Sequence, residues 1–63
     1  MKSKYKLVRY NSFYKKWNAK IVRKDDYGNK YNLLNKWLDS EYDAAIEVDL
    51  CLIDNGEKPV NIL

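Results

Sequence analysis

From Trp17 to Lys24 the chain alternates: Trp17, Ala19 and Ile21 share one parity, and Asn18, Lys20, Val22 and Lys24 share the other. A period of two is that of a strand with one face buried and one wet. Lys4 to Tyr10 mixes aromatic, branched and charged residues in the same way and predicts a first strand, with Asn11-Ser12 as the turn between the two. Asp25-Asp26-Tyr27-Gly28-Asn29 holds residues that tolerate positive φ or bond back to their own backbone, so it reads as a hairpin connection. Lys30 to Leu34 is then the third strand, with Tyr31 and Leu33 inward and Lys30 and Asn32 on the outer face with Lys20.

After Leu38 the period changes. Asp39 or Ser40 can cap a helix, Ser40-x-x-Asp43 resembles a capping box, and Asp39, Glu41 and Asp43 suit the positive end of a helix dipole. Asn55-Gly56 supplies a left-handed stop and Pro59 prevents continuation, so the helix is expected over 40–55. At 100° per residue, Ala44, Ala45, Val48, Cys51 and Leu52 form one flank, which should pack on the sheet. Ile46, Leu50 and Ile53 form another, wider than a small sheet needs, to be covered by the tail Val60-Asn61-Ile62-Leu63, by a partner or by self-association. The expected fold is α+β: one domain over 1–63, a three-stranded antiparallel meander (strands about 4–10, 17–24 and 30–34) packed on one C-terminal helix.

Composition narrows the function. A chain of 63 residues has a core too small to roof a substrate pocket, and it contains no histidine, the commonest general base and metal ligand, so an enzyme is not expected. With Cys51 the one cysteine, neither an internal disulfide nor a thiolate zinc site can form, which points to a reducing cytoplasm. No apolar run is long enough to span a bilayer and no signal-peptide pattern follows Met1, so a soluble, unprocessed chain is expected, with no cofactor and no membrane partner. The net charge of +3 hides an asymmetry: residues 1 to 38 carry eleven Lys/Arg and two acids, residues 39 to 63 one Lys and seven acids. A net +9 beside a net −6 suits one half of the molecule to a polyanion.

Single residues have structural readings as well. Trp17, on the parity of Ala19 and Ile21, is expected in the core; Trp37, just before the helix, is expected to cap it rather than serve as a stacking platform, and Tyr14 is balanced between contact and filler. Asp49 falls in the apolar arc, where a carboxylate needs a hydrogen bond or ion-pair partner. Cys51 reads as a small core residue, and Asp25-Asp26 as turn chemistry without further cation ligands.

In order and pattern these pieces resemble the Apetala-two/ethylene-response-factor DNA-binding domain and its relatives in phage homing endonucleases and integrase amino-terminal domains. Tyr5-Lys6-Leu7-Val8-Arg9 is similar to that family's Tyr-Arg-Gly-Val-Arg first strand, and Lys16-Trp17-Asn18-Ala19-Lys20-Ile21 to its Lys-Trp-x-Ala-x-Ile second strand. Gly28-Asn29-Lys30 stands at its hairpin glycine, Leu38-Asp39-Ser40-Glu41 with Ala44-Ala45 and Asp49 at its helix, and Val60-Asn61-Ile62 at its end. The resemblance implies a sheet lying in the DNA major groove, with contacts carried over to Lys6, Leu7, Arg9, Tyr14, Lys20, Val22, Lys30 and Asn32. Lys16, interleaved with them, joins the candidate site. Leu7 replaces a glycine of the family, Val22 a basic residue and Asn32 an aromatic one, and the approach Asn35-Lys36-Trp37 is longer than the family's. Lysine dominance suggests phosphate positioning, with Arg9 and Arg23 the arginines available to read guanine.

The expected partner is therefore double-stranded DNA, bound by a regulator or accessory factor of a phage or mobile element. A close variant is the arm-binding domain of an integrase. The competing class is a small phage inhibitor of a host or defence protein that uses the helix flank and its acidic strip as its working surface.

Overall fold

The computed structural model describes residues 3–63; Met1 and Lys2, part of the expected domain and of its cationic half, lie outside the described residues. Three strands, β1 (Val8–Asn11), β2 (Lys16–Lys24) and β3 (Lys30–Leu38), form an antiparallel sheet in the order β1-β2-β3, followed by helix α1 (Glu41–Asp54). The α+β meander-plus-helix arrangement is thus the one the hydrophobic pattern predicts. Val8, Ala19 and Ile21 on the sheet meet Ala44, Ala45, Val48 and Leu52 on α1 to make the core, with Tyr5, Trp17, Leu33, Leu34, Leu38 and Cys51 packed around it. Alanines at 44 and 45 let the helix backbone approach the sheet closely, which suits a core this small.

The first strand is shorter than expected, beginning at Val8 rather than at residue 4. Leu7 has φ 64°, a left-handed conformation that interrupts an extended chain, and the preceding residues form a bend and a turn. Leu7 stands where the resembled family has a glycine, the residue for which that conformation carries no steric cost. Its carbonyl still accepts from the Lys20 amide (3.2 Å), so the β1–β2 ladder starts from the turn itself.

The third strand is longer than expected, running to Leu38 rather than ending at Leu34. A β-bulge lies opposite Ile21/Val22: Val22 pairs with Asn32 and Ile21 with Leu34, leaving Leu33 as the extra residue. The bulge shifts parity by one. Beyond it Leu34 and Leu38 point to the core side, opposite Ile21 and Trp17, and Asn35 and Trp37 point outward, opposite Lys20 and Asn18. A strict alternation read from Lys30 loses its register at that point, and the strand with it.

Both turns are held by an aspartyl or asparaginyl side chain. Asn11 Oδ1 accepts from the amides of Phe13 and Tyr14, and Lys15 (φ 55°) reverses the chain into β2. Asp25 Oδ1 accepts from the amides of Tyr27 and Asn29, with Gly28 at φ 84°. Asp25 does the turn chemistry expected of the pair.

Ser40 caps α1, its hydroxyl accepting from the Asp43 amide. At the other end the Glu57 amide donates to Leu52 O and the Gly56 amide to Ile53 O, a Schellman arrangement with Gly56 at φ 78°. The tail then folds back. Asp49, fully buried, accepts from the amides of Val60 and Asn61 on Oδ1 and of Ile62 and Leu63 on Oδ2, at 2.6–3.1 Å. Asn61 in turn clips the backbone of Lys6, accepting from its amide (2.7 Å) and donating to its carbonyl (3.1 Å). The buried carboxylate therefore fixes the tail to α1 and Asn61 fixes the tail to the turn before β1, while Leu50 and Ile53 on α1 remain exposed.

Candidate nucleic-acid interface

The sheet has two chemically distinct faces, and register assigns every side chain to one of them. Val8, Ala19 and Ile21 point to α1; their neighbours along each strand must point away. Across the sheet the outward rows are Asn11–Lys16, Arg9–Asn18–Trp37, Lys20–Asn35, Val22–Asn32 and Lys24–Lys30. Nine-residue β2 carries this face over roughly 27 Å at ~3.4 Å per residue. A three-stranded sheet about 10 Å across, at ~4.8 Å between strands, matches the ~12 Å major groove of B-DNA.

Of the expected site residues, Arg9, Lys16, Lys20, Val22, Lys30 and Asn32 lie on this one face. Leu7 lies at its upper edge, where Leu7, Arg9, Asn18, Lys20 and Val22 line a shallow depression open to solvent. Lys6 occupies the turn just before β1, exposed at its side chain and pinned at its backbone by Asn61. Tyr14 projects from the β1–β2 turn at the opposite end, against Trp37.

The charge asymmetry of the sequence becomes a partial separation in space, crossed by Asp39, which reaches Lys16 on the outer face, and by Arg23 and Lys36, which pair with acids on the core side. Three ion pairs are present among the described residues: Lys16–Asp39, Arg23–Glu57 and Lys36–Glu47. Arg9, Lys20, Lys24 and Lys30 are in none of them, are exposed and share the outer face. The acids Asp43, Glu47 and Asp54 sit on α1, across the core from that face. Such a layout attracts a polyanion from one side and repels it from the other.

Arg23 departs from expectation. Its parity is that of Ala19 and Ile21, and its guanidinium donates to both Glu57 carboxylate oxygens, at 2.7 and 3.3 Å. The hydrogen bonds it donates to Glu57 hold the guanidinium above its ordinary pKa, and Arg23, with Asn55, holds Glu57 below the usual carboxylate range. Arg23 therefore fastens the segment after α1 to β2, and Arg9 is the arginine left on the outer face.

Trp37 departs further. It was expected to cap the core, yet its partner across the sheet is Asn18, so the indole stands on the outer face, 45% exposed and edge-on to Tyr14 at 5.2 Å. The bulge at Leu33 is the cause, since without it Trp37 would take the inward parity. Trp17, by contrast, is half-buried against the core and edge-on to Tyr10 at 5.0 Å, as expected. Asn18 and Asn35 are further outer-face residues that the site reading missed: the Asn18 amide donates to Asn35 Oδ1 (2.9 Å) and to Lys36 O (3.0 Å). Asn18 and Lys24 were findable from the parity of Lys20; Asn35 and Trp37 were hidden by the bulge.

Chemically, the face offers free ammonium groups for phosphates, one guanidinium, carboxamides suited to adenine edges, and the apolar Val22 and Leu7 suited to a thymine methyl. No helix among the described residues is long and apolar enough to cross a membrane. Comparison of the chain with protein-family models, with curated proteins and with solved structures finds no match.

Proposed function

We propose that this protein binds double-stranded DNA through the outer face of its sheet and carries out no catalysis of its own, working in a host-cell cytoplasm as a regulator or accessory factor of a phage or mobile element. The observation that carries this reading is the segregation of unpaired cations. Arg9, Lys20, Lys24 and Lys30 stand together on a face of groove-compatible width, while the acids of α1 lie on the opposite side of the core. Solubilising charge alone gives no reason for that separation, because mixed signs on both faces serve solubility as well. The resemblance to the Apetala-two/ethylene-response-factor domain supports the same face.

Removing one charged side chain from each side of the molecule, a cation from the sheet and an acid from the helix, tests the proposal. Lys20→Ala should weaken binding to a labelled duplex by about 1 kcal/mol, roughly fivefold, as expected for one lost charged contact. Asp54→Ala, on the helix, should leave affinity within about twofold or raise it slightly, because it removes a distant repulsive charge. Both side chains are exposed, so thermal melts should match the parent's. Equal affinities for the parent and Lys20→Ala would count against the outer face.

A second reading has its own observation. Leu50 and Ile53, each 45% exposed, form an apolar strip on α1, and Leu50 borders a groove against β3 lined by Leu33, Leu34 and Cys51 and by the polar Lys36, Glu47, Asp54 and Asn55. An apolar strip of this kind suits a protein partner or self-association, the inhibitor reading of the sequence. DNA binding and this surface do not compete, since they lie on opposite sides of the sheet.

A further inference from the structure

The outer face carries an aromatic patch for which phosphate binding gives no reason. Phe13, Tyr14 and Trp37 are 86%, 60% and 45% exposed. Their rings meet edge to face in a chain, Phe13–Tyr14 at 5.2 Å and 87° and Tyr14–Trp37 at 5.2 Å and 61°. The backbone beneath them is fixed, with the Phe13 and Tyr14 amides both donating to Asn11 Oδ1 and Trp37 held in the ladder opposite Asn18. The rings are thus preorganised in water, on the face turned away from the core.

On the reading that this face binds DNA, we propose that Phe13, Tyr14 and Trp37 form a stacking platform for a nucleobase that has left its stack, so that the protein favours DNA carrying an unpaired base. Charge complementarity identifies the occupant. The row Arg9–Asn18–Trp37 places a guanidinium on the same strip of sheet as the indole, and Lys15 and Lys16 follow Tyr14 directly. Exposed aromatic ring faces beside cations fit a flat ring carried on a phosphate chain. In an intact duplex the base faces are covered by their neighbours and only edges reach the groove. Extracting a paired base costs free energy that an unpaired one has already given up, and the platform converts that difference into preference.

Fluorescence anisotropy with three DNAs of equal length tests the proposal: a fully paired duplex, the same duplex with one extrahelical 2-aminopurine, and the single strand. The parent should bind the bulged duplex about tenfold more tightly than the paired one, in line with the stacking of one base, and should quench the 2-aminopurine. Phe13→Ala should bring the two duplexes to equal affinity without weakening the paired one, and Trp37→Ala covers a base that rests on the indole instead. Phe13 is almost wholly exposed, so its loss should leave the melting curve unchanged. Single-strand affinity matching that for the bulged duplex would make any unpaired base the ligand; weaker single-strand binding would place that base within a duplex. Equal parent affinity for paired and bulged duplexes, or a preference that survives both substitutions, would overturn the platform while leaving duplex binding intact. Failure to bind any of the three DNAs would instead remove the underlying DNA reading.

Discussion

Asp49→Ala should lower the midpoint of thermal unfolding by roughly 10–20 °C, the largest loss expected for any single polar side chain of this protein. The carboxylate is fully buried and accepts four backbone N–H groups from Val60, Asn61, Ile62 and Leu63. Hydrogen bonds to an ionised group are among the stronger ones, and losing the set should cost on the order of 3 kcal/mol. A 63-residue domain has little more than that to lose. The clip between Asn61 and Lys6 depends on the same tail, so the turn leading into β1 should loosen as well. Asparagine is a poor substitute, because its NH2 group would face amides that need an acceptor.

The same carboxylate sets the acid limit of stability. Burial pushes its pKa up, but the four backbone donors outweigh burial and hold it below its ordinary value of 3.8. A carboxyl whose pKa is lower in the folded than in the unfolded state contributes in full above the unfolded value, and the contribution fades as pH falls through the folded one. Stability should therefore hold from neutral pH down to about 4 and fall below it. Asp49→Ala should flatten that acid limb, leaving the part contributed by Glu57, which Arg23 also holds low. Urea melts of both proteins across this range would check it.

Duplex affinity should fall by roughly two to three decades between 50 and 200 mM salt. Arg9, Lys20, Lys24 and Lys30 form the unpaired set on the outer face, with Lys6 and Lys15 exposed at its ends. Four to six neutralised phosphates at about −0.9 per contact in log-log slope give that range. Lys16, held by Asp39, should contribute less unless DNA displaces the acid. Titration of a labelled random duplex at four salt concentrations measures the slope. A flat response would mean that the cationic face is not what holds DNA.

How much of this was legible in the sequence differs from element to element. Strand β2 could be placed almost to the residue because from Trp17 to Ile21 its inward positions are apolar and its outward ones, Asn18 and Lys20, polar, so period and chemistry agree there. The helix was equally clear, since Ser40 and Asn55-Gly56 mark its ends by capping chemistry that depends on local geometry alone. Asp49 announced itself as a carboxylate on an apolar arc, although only the folded chain identifies its donors as the tail amides. What stayed hidden came from two local departures. A left-handed Leu7 shortens β1, and nothing in a leucine side chain signals positive φ. The bulge at Leu33 reverses the faces of everything after it in β3, so no alternation carried forward from Lys30 places Asn35 and Trp37 on the outer face, and Trp37 was expected to cap the core only from its position before the helix. Arg23 differs: its parity with Ala19 and Ile21 turns it inward by the period of β2 itself, and only its partner Glu57, 34 residues away, lies beyond a local pattern.

The central claim is that DNA lies on the outer face of the sheet, and amide chemical-shift mapping of the isotope-labelled protein titrated with a short duplex tests it most directly. The account predicts shifts concentrated at Arg9, Asn18, Lys20, Val22, Asn32 and Trp37, all on outward positions, with Leu50, Ile53 and the rest of the exposed side of α1 unmoved. Shifts confined to the helix, or none on the sheet at a duplex concentration that saturates binding, would contradict it.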